Sequence, residues 1–215
     1  MTEFILNGRL AAADFPPDMR LRDVLYKLGC TSVRDSDDHE GFTGSDIIIF
    51  NDRLRSSNLT LLYKAEGAHI RTAESLRKGR KLNDVQQAMI KAGVVQSAYN
   101  SPAVALILTW LLEKKPDASR EDVRQALSSV FIRDAGYEHF YLAVKLVQEM
   151  RAFGRYVTPV SPVFRDKLDY IGKPLDKSDG VSLVSGEPVY VEDKVDKDAY
   201  VLEVLRSPFA MAYIK

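Results

Sequence analysis

The spacing of apolar residues changes character once along this chain, and that change constrains the fold more than any single motif. Up to Leu76 the apolar residues come in short runs broken by Gly, Asn and Asp; from Leu82 they recur at helical spacing. Such an order predicts a strand-containing unit followed by a helical one. At 215 residues, 46% of them hydrophobic, the chain has enough apolar side chains for two compact units.

In the first unit, "EFILNGRLAAA" predicts a hairpin, because Asn7-Gly8 accepts the positive φ of a tight turn between two apolar stretches. "MRLRDVLYKLG" sets Leu21, Val24, Leu25 and Leu28 on one helical face and closes at Gly29. "DIIIFNDRL" predicts a buried strand entering an Asn-Asp turn, and "NLTLLYKAEGAHIRTAESL" predicts further extended structure and a short helix. A small α+β unit over residues 1–76 follows.

The second unit, residues 77–155, carries four helical stretches: "LNDVQQAMIKAG", "SPAVALILTWLLEKK", "SREDVRQALSSVF" and "YEHFYLAVKLVQEMRAF". In the third, Ser119 is placed to cap, with Asp122 three residues on. Four helices joined by short loops predict a four-helix bundle. Residues 156–176, with Pro159, Pro162 and Pro174, predict an extended linker, and residues 177–215 predict a short strand-rich segment. That segment has too little partner surface to fold alone, so it is expected to pair with another chain or to open a longer polypeptide.

Thirty basic and thirty acidic side chains cancel, so no one-signed field draws the protein to nucleic acid or to an anionic membrane. The apolar run from Ser101 to Leu112 is too short for the roughly 20 residues of a membrane span. The N-terminus lacks the basic and long apolar regions of a secretory signal. One cysteine, Cys30, excludes an internal disulfide and any thiolate cluster, and a small buried hydrophobe is its expected role. A cytoplasmic location is the expectation.

The acidic loop "DSDDHEGFTGSDIII", Asp35 to Ile49, is punctuated by glycines and runs straight into the apolar strand. Together with the helical unit, the linker, "IGKPLDKSDGVSLVSGEPVYVEDK" and "LRSPFAMAYI", it resembles the xanthine dehydrogenase and aldehyde oxidase family of molybdenum hydroxylases over nearly the whole chain. The resemblance implies a ferredoxin-like β-grasp domain and a helical domain, each built around a 2Fe-2S cluster. It also implies that residues 177–215 begin the large molybdopterin-binding, hammerhead-like part.

Each iron of such a cluster takes two sulfur ligands from the protein. The C-x4-C-x2-C spacing falls here on Asp38, Thr43 and Asp46, with Asn58 in the fourth place. In the helical unit, "QSAYNSPA" puts Ser97 and Asn100, and "IRDAGY" puts Ile132 and Asp134, where the resemblance implies cysteines. Oxygen donors and an isoleucine do not substitute for soft thiolates, so the expectation is a chain with no cofactor of its own and no 2Fe-2S cluster.

Other site readings are weaker. Asp35, Asp37, His39 and Asp46 faintly echo a calcium loop, but Glu40 stands where a glycine turn belongs, so a loop filled by hydrogen-bonded polar groups is expected and no metal ligand is assigned. His39, His69 and His139 lack zinc spacing. The resemblance places Gln96 beside a pterin carried elsewhere; its alternative is an amide satisfying local backbone groups. No residue qualifies as catalytic. The expected function is a scaffold that docks onto a molybdopterin-binding part, in cis or as a partner chain, without transferring electrons. The alternative is a degenerate subunit of a conventional oxidoreductase complex whose iron-sulfur clusters are supplied by another subunit; flavin or iron-sulfur subunits are the further partners expected.

Overall fold

The computed structural model describes residues 1–35, 39–79, 81–159, 175–187, 200, 202–211 and 213. The expected hairpin forms from β1 (Thr2–Leu6) and β2 (Arg9–Ala13), in register from Thr2 opposite Ala13 to Leu6 opposite Arg9. Its turn uses φ of 51° at Asn7 and 81° at Gly8, as that residue pair allows. After α1 (Leu21–Lys27) come β3 (Ile47–Phe50), β4 (Arg53–Ser56) and β5 (His69–Arg71). They complete one five-stranded sheet in the order β2-β1-β5-β3-β4. In it β5 runs parallel to β1 and antiparallel to β3.

The all-apolar run of β3 makes sense once both sheet faces are seen to be covered. Ile48 and Phe50 share a core with Phe4, Leu21, Val24, Leu25 and Ile70, under α1. Ile47 and Ile49, on the opposite face by the two-residue period, enter the core of the helical unit. Leu28 departs from its expected place. It lies just past the end of α1 and is 36% exposed, because the helix stops one residue earlier than the apolar spacing suggests.

The four expected helices are present as α2 (Asp84–Lys91), α3 (Ser101–Lys114), α4 (Arg120–Ala126) and α5 (Tyr137–Phe153). Asn83 and Gln86 form a capping box for α2, and Ser119 and Asp122 one for α4. α3 is apolar nearly all round and is the central helix. Its Leu106, Ile107 and Leu108 are at most 1% exposed, and each such side chain contributes about 2 kcal/mol by burial. The core around α3 is not closed by four helices alone, since β3 and a further helix complete it.

That further helix, α6 (Gly180–Ser185), corrects the strand reading of "GVSLVSGE". Val184 is fully buried in the helical core, and tertiary burial here overrides the β-propensity of the Val-Ser alternation. In the same segment, residues 200, 202–211 and 213 contain no strand. Residues 160–174 of the expected linker and 188–199 lie outside the described residues. No helix among the described residues is long and apolar enough to cross a membrane.

Candidate functional site

The loop before β3 and the turn after β4 bring together the first set of positions singled out in the sequence. Asp38 lies outside the described residues. The Thr43 hydroxyl is 2.7 Å from that of Ser45. Asp46, 1% exposed, holds the turn: its Oδ2 accepts from Ser56 Oγ at 2.5 Å and from Asn58 N at 2.8 Å. Its main-chain oxygen accepts from Ser57 Oγ at 2.7 Å. The polar groups of this loop and turn are hydrogen-bonded only in part. Asp46 Oδ1 and both amide atoms of Asn58 are buried without a hydrogen-bond partner.

The second set lies at the N-terminus of α3 and in the loop before α5. Asn100 Nδ2 donates to Asp134 Oδ1 at 3.2 Å. Ser97 Oγ accepts from Tyr99 N at 2.9 Å, and Ile132 packs against the helical core. Gln96 is exposed, and its amide donates to Gly93 O at 2.8 Å. Here the side chain satisfies local backbone.

The two sets adjoin. Phe131 N donates to Thr43 O at 2.9 Å, the Tyr99 hydroxyl donates to Asp35 O, and the rings of Phe42 and Phe131 stand 5.6 Å apart. Gly44, at φ 68°, passes so close to Ser129 O that a side chain has no room. Asp35 is held by Arg20, Arg22 and His39, the last at 2.6 Å.

A contact that sequence reasoning missed lies at α6. Gln86 Nε2 donates to Val184 O at 3.3 Å, Thr31 Oγ1 donates to Gly186 O at 3.0 Å, and Arg77 pairs with Glu187. The segment straps the strand unit to the helical unit. Gly180, where a Cβ would lie 3.4 Å from Ile90, and Gly186, where one would strike Ser32, were the available signals.

Cys30 sits in the strand-unit core, 4% exposed. Burial, reinforced by the charge of Glu74 and opposed by Thr72, pushes its thiol up to about 11. His69 lies in β5, and His139 in the first turn of α5. Among the described residues no three His, Cys, Asp or Glu side chains gather as a metal set.

Residues 72–145 match the family described as the 2Fe-2S binding domain. The nicotinate dehydrogenase small FeS subunit of Eubacterium barkeri is 32% identical over 145 residues, covering 67% of this chain and 92% of that subunit. The chain belongs to the iron-sulfur module family of the molybdenum hydroxylases. The module is also 44% identical over 211 residues to the probable hypoxanthine oxidase XdhD of Escherichia coli (strain K12), covering 98% of this chain and 22% of that protein. It therefore spans about a fifth of that relative's length. The aldehyde oxidoreductase of Desulfovibrio desulfuricans shares the fold, with a TM-score of 0.78 at 24% identity over 89% of this chain and 22% of that one.

Membership corrects one expectation. That no 2Fe-2S cofactor goes with a chain of this kind is overturned, because the matched domain is a 2Fe-2S binding domain and the E. barkeri relative is an FeS subunit. The cofactor that the family implies is 2Fe-2S. The side chains of Thr43, Asp46, Asn58, Ser97, Asn100, Ile132 and Asp134 do not match its thiolate ligation, and among them the Asn100 side chain is engaged with that of Asp134.

Proposed function

We propose that this chain is a scaffold module of a xanthine dehydrogenase-like molybdenum hydroxylase, docking onto the molybdopterin-binding part in cis or as a partner chain. Its work is packing and positioning rather than electron transfer. The observation that carries this reading is the engagement of ligand-position residues inside an intact fold: the Asn100 side chain donates to Asp134, and the main-chain N of Asn58 donates to Asp46. These N–H to carboxylate bonds hold loop ends together, which preserves the surface the module presents.

On this reading the chain divides into residues 1–76, 77–155, a linker at 156–176 and the opening of the molybdopterin-binding part at 177–215. On the same reading Gln96, which is exposed ahead of α3, contacts a pterin held by that part; its exposure supports this. The name of the E. coli relative makes a hydroxypurine such as hypoxanthine the first substrate to try on the complete assembly.

Rapid-reaction absorbance spectroscopy on the full-length protein during turnover tests the proposal. The scaffold reading expects substrate to reduce the molybdenum centre with no iron-sulfur bleaching from this module. Stoichiometric bleaching at the turnover rate would assign electron transfer to the module and overturn the reading.

A further inference from the structure

The residues just before β3 and just after β4 bury five polar side chains: Ser45, Asp46, Ser57, Asn58 and Thr60 are all at most 4% exposed. Three of them are satisfied locally. Ser45 bonds with Thr43, Ser57 donates to Asp46 O, and Thr60 donates to Ser56 O at 2.7 Å. The unsatisfied atoms are concentrated on the remaining two, Asp46 Oδ1 and the Asn58 amide, whose residues are joined by the bond from Asn58 N to Asp46 Oδ2.

A buried acceptor or amide without a partner destabilises the fold, and a buried carboxylate without a counter-charge does so more strongly. Among the described residues Asp46 forms no ion pair, and its only donors, one hydroxyl and one amide, both serve Oδ2. A carboxylate oxygen and an amide oxygen, both hard donors, therefore stand buried and unpartnered next to a turn already fixed by Ser56, Ser57 and Thr60. A water satisfies the hydrogen-bonding of such groups; a cation in addition balances an ionised carboxylate.

We propose that Asp46 and Asn58 bind a hard, oxygen-preferring cation, Mg2+ first, with the Asp46 carboxylate and the Asn58 carbonyl as protein ligands and water completing the shell. Mg2+ keeps several waters and is held by one or two carboxylates, which suits this sparse donor set better than the six to eight oxygens Ca2+ takes. The site is independent of the docking role.

The test is calorimetric titration of the full chain, stripped with EDTA, with MgCl2 and separately with CaCl2 at constant ionic strength. Saturable one-site binding of Mg2+ is expected, weakened at least tenfold in Asp46→Asn. Asn58→Asp is expected to tighten binding about tenfold, and to melt earlier than wild type in cation-free buffer with the loss restored by Mg2+. No saturable heat with either cation, or equal titrations of wild type and Asp46→Asn, leaves the pocket to water alone and overturns the proposal. If Asp46→Asn does not fold, Asn58→Asp decides: a melting loss that Mg2+ leaves unchanged overturns it.

Discussion

Asn100 donates its side-chain amide to Asp134 across 3.2 Å, joining the start of α3 to the loop before α5 over 34 residues of chain. Asn100 is 9% exposed, whereas Asp134 is exposed, so water competes only at one end of the bond. A hydrogen bond to a charged acceptor in such a setting contributes about 1.5 kcal/mol. Asp134→Ala is therefore expected to lower unfolding stability by about 1 kcal/mol, and Asn100→Ala by somewhat more, since it opens a nearly buried position. Urea unfolding of the two single variants and the double variant measures this. A double variant that loses the full sum of the singles would show that the two side chains do not act as a pair.

The strap at α6 depends on Gly186 in two ways. Its φ of 73° suits glycine, and a Cβ there would lie 2.5 Å from Ser32 Cβ and 2.7 Å from Ser32 Cα. Gly186→Ala is expected to free residues 175–187 while the sheet and α2–α5 stay folded. Limited proteolysis should then cut this segment at least tenfold faster than in wild type, with the remainder resistant. An unchanged cleavage rate would show that the strap does not hang on this contact.

What could be read from sequence here was what neighbours in the chain decide. Asn7-Gly8, the Ser119 cap and the four-residue run Ile47–Phe50 each carry their structure locally, and all three formed. α6 was illegible because its residues alternate like a strand, and the groups that hold it, Gln86 and Thr31, stand 98 and 155 residues away. The same limit applies to the candidate site. The family resemblance located Thr43, Asp46, Asn58, Ser97, Asn100, Ile132 and Asp134, but no local rule says that Asn100 meets Asp134, or that Asp46 keeps one oxygen without a partner. The cofactor expectation failed for a different reason: donor chemistry speaks about this chain, whereas the kind of domain is set by the whole of residues 72–145.

The start of α4 should respond to acid. Hydrogen bonds from Lys115 and then Ser119 lower the Asp122 carboxyl to about 2. An acid depressed in the folded state stabilises above its unfolded value, near 3.9, and the contribution is lost as pH falls from about 4 through 2. Acid titration monitored at α4 amides should show fraying over that window, and Asp122→Asn should remove the dependence. Fraying that begins near pH 6 would point to a different group.

Cys30 gives the opposite sign at the alkaline end. Its thiol is raised to about 11, first by burial and then by Glu74, so the folded chain keeps it neutral where the unfolded chain ionises near 8.5. Stability from the neutral thiol is complete below about pH 8.5 and is lost as pH rises through about 11. Since the thiolate is the nucleophile, a disulfide reagent at pH 8 should label native protein at least a hundredfold more slowly than protein in urea. Cys30→Ala should flatten the alkaline dependence, at the cost of a small cavity beside Thr72. Labelling of the native chain at the unfolded rate would mean that the core around Phe4, Leu25 and Ile70 opens readily, and that Cys30 is not the buried hydrophobe its surroundings make it.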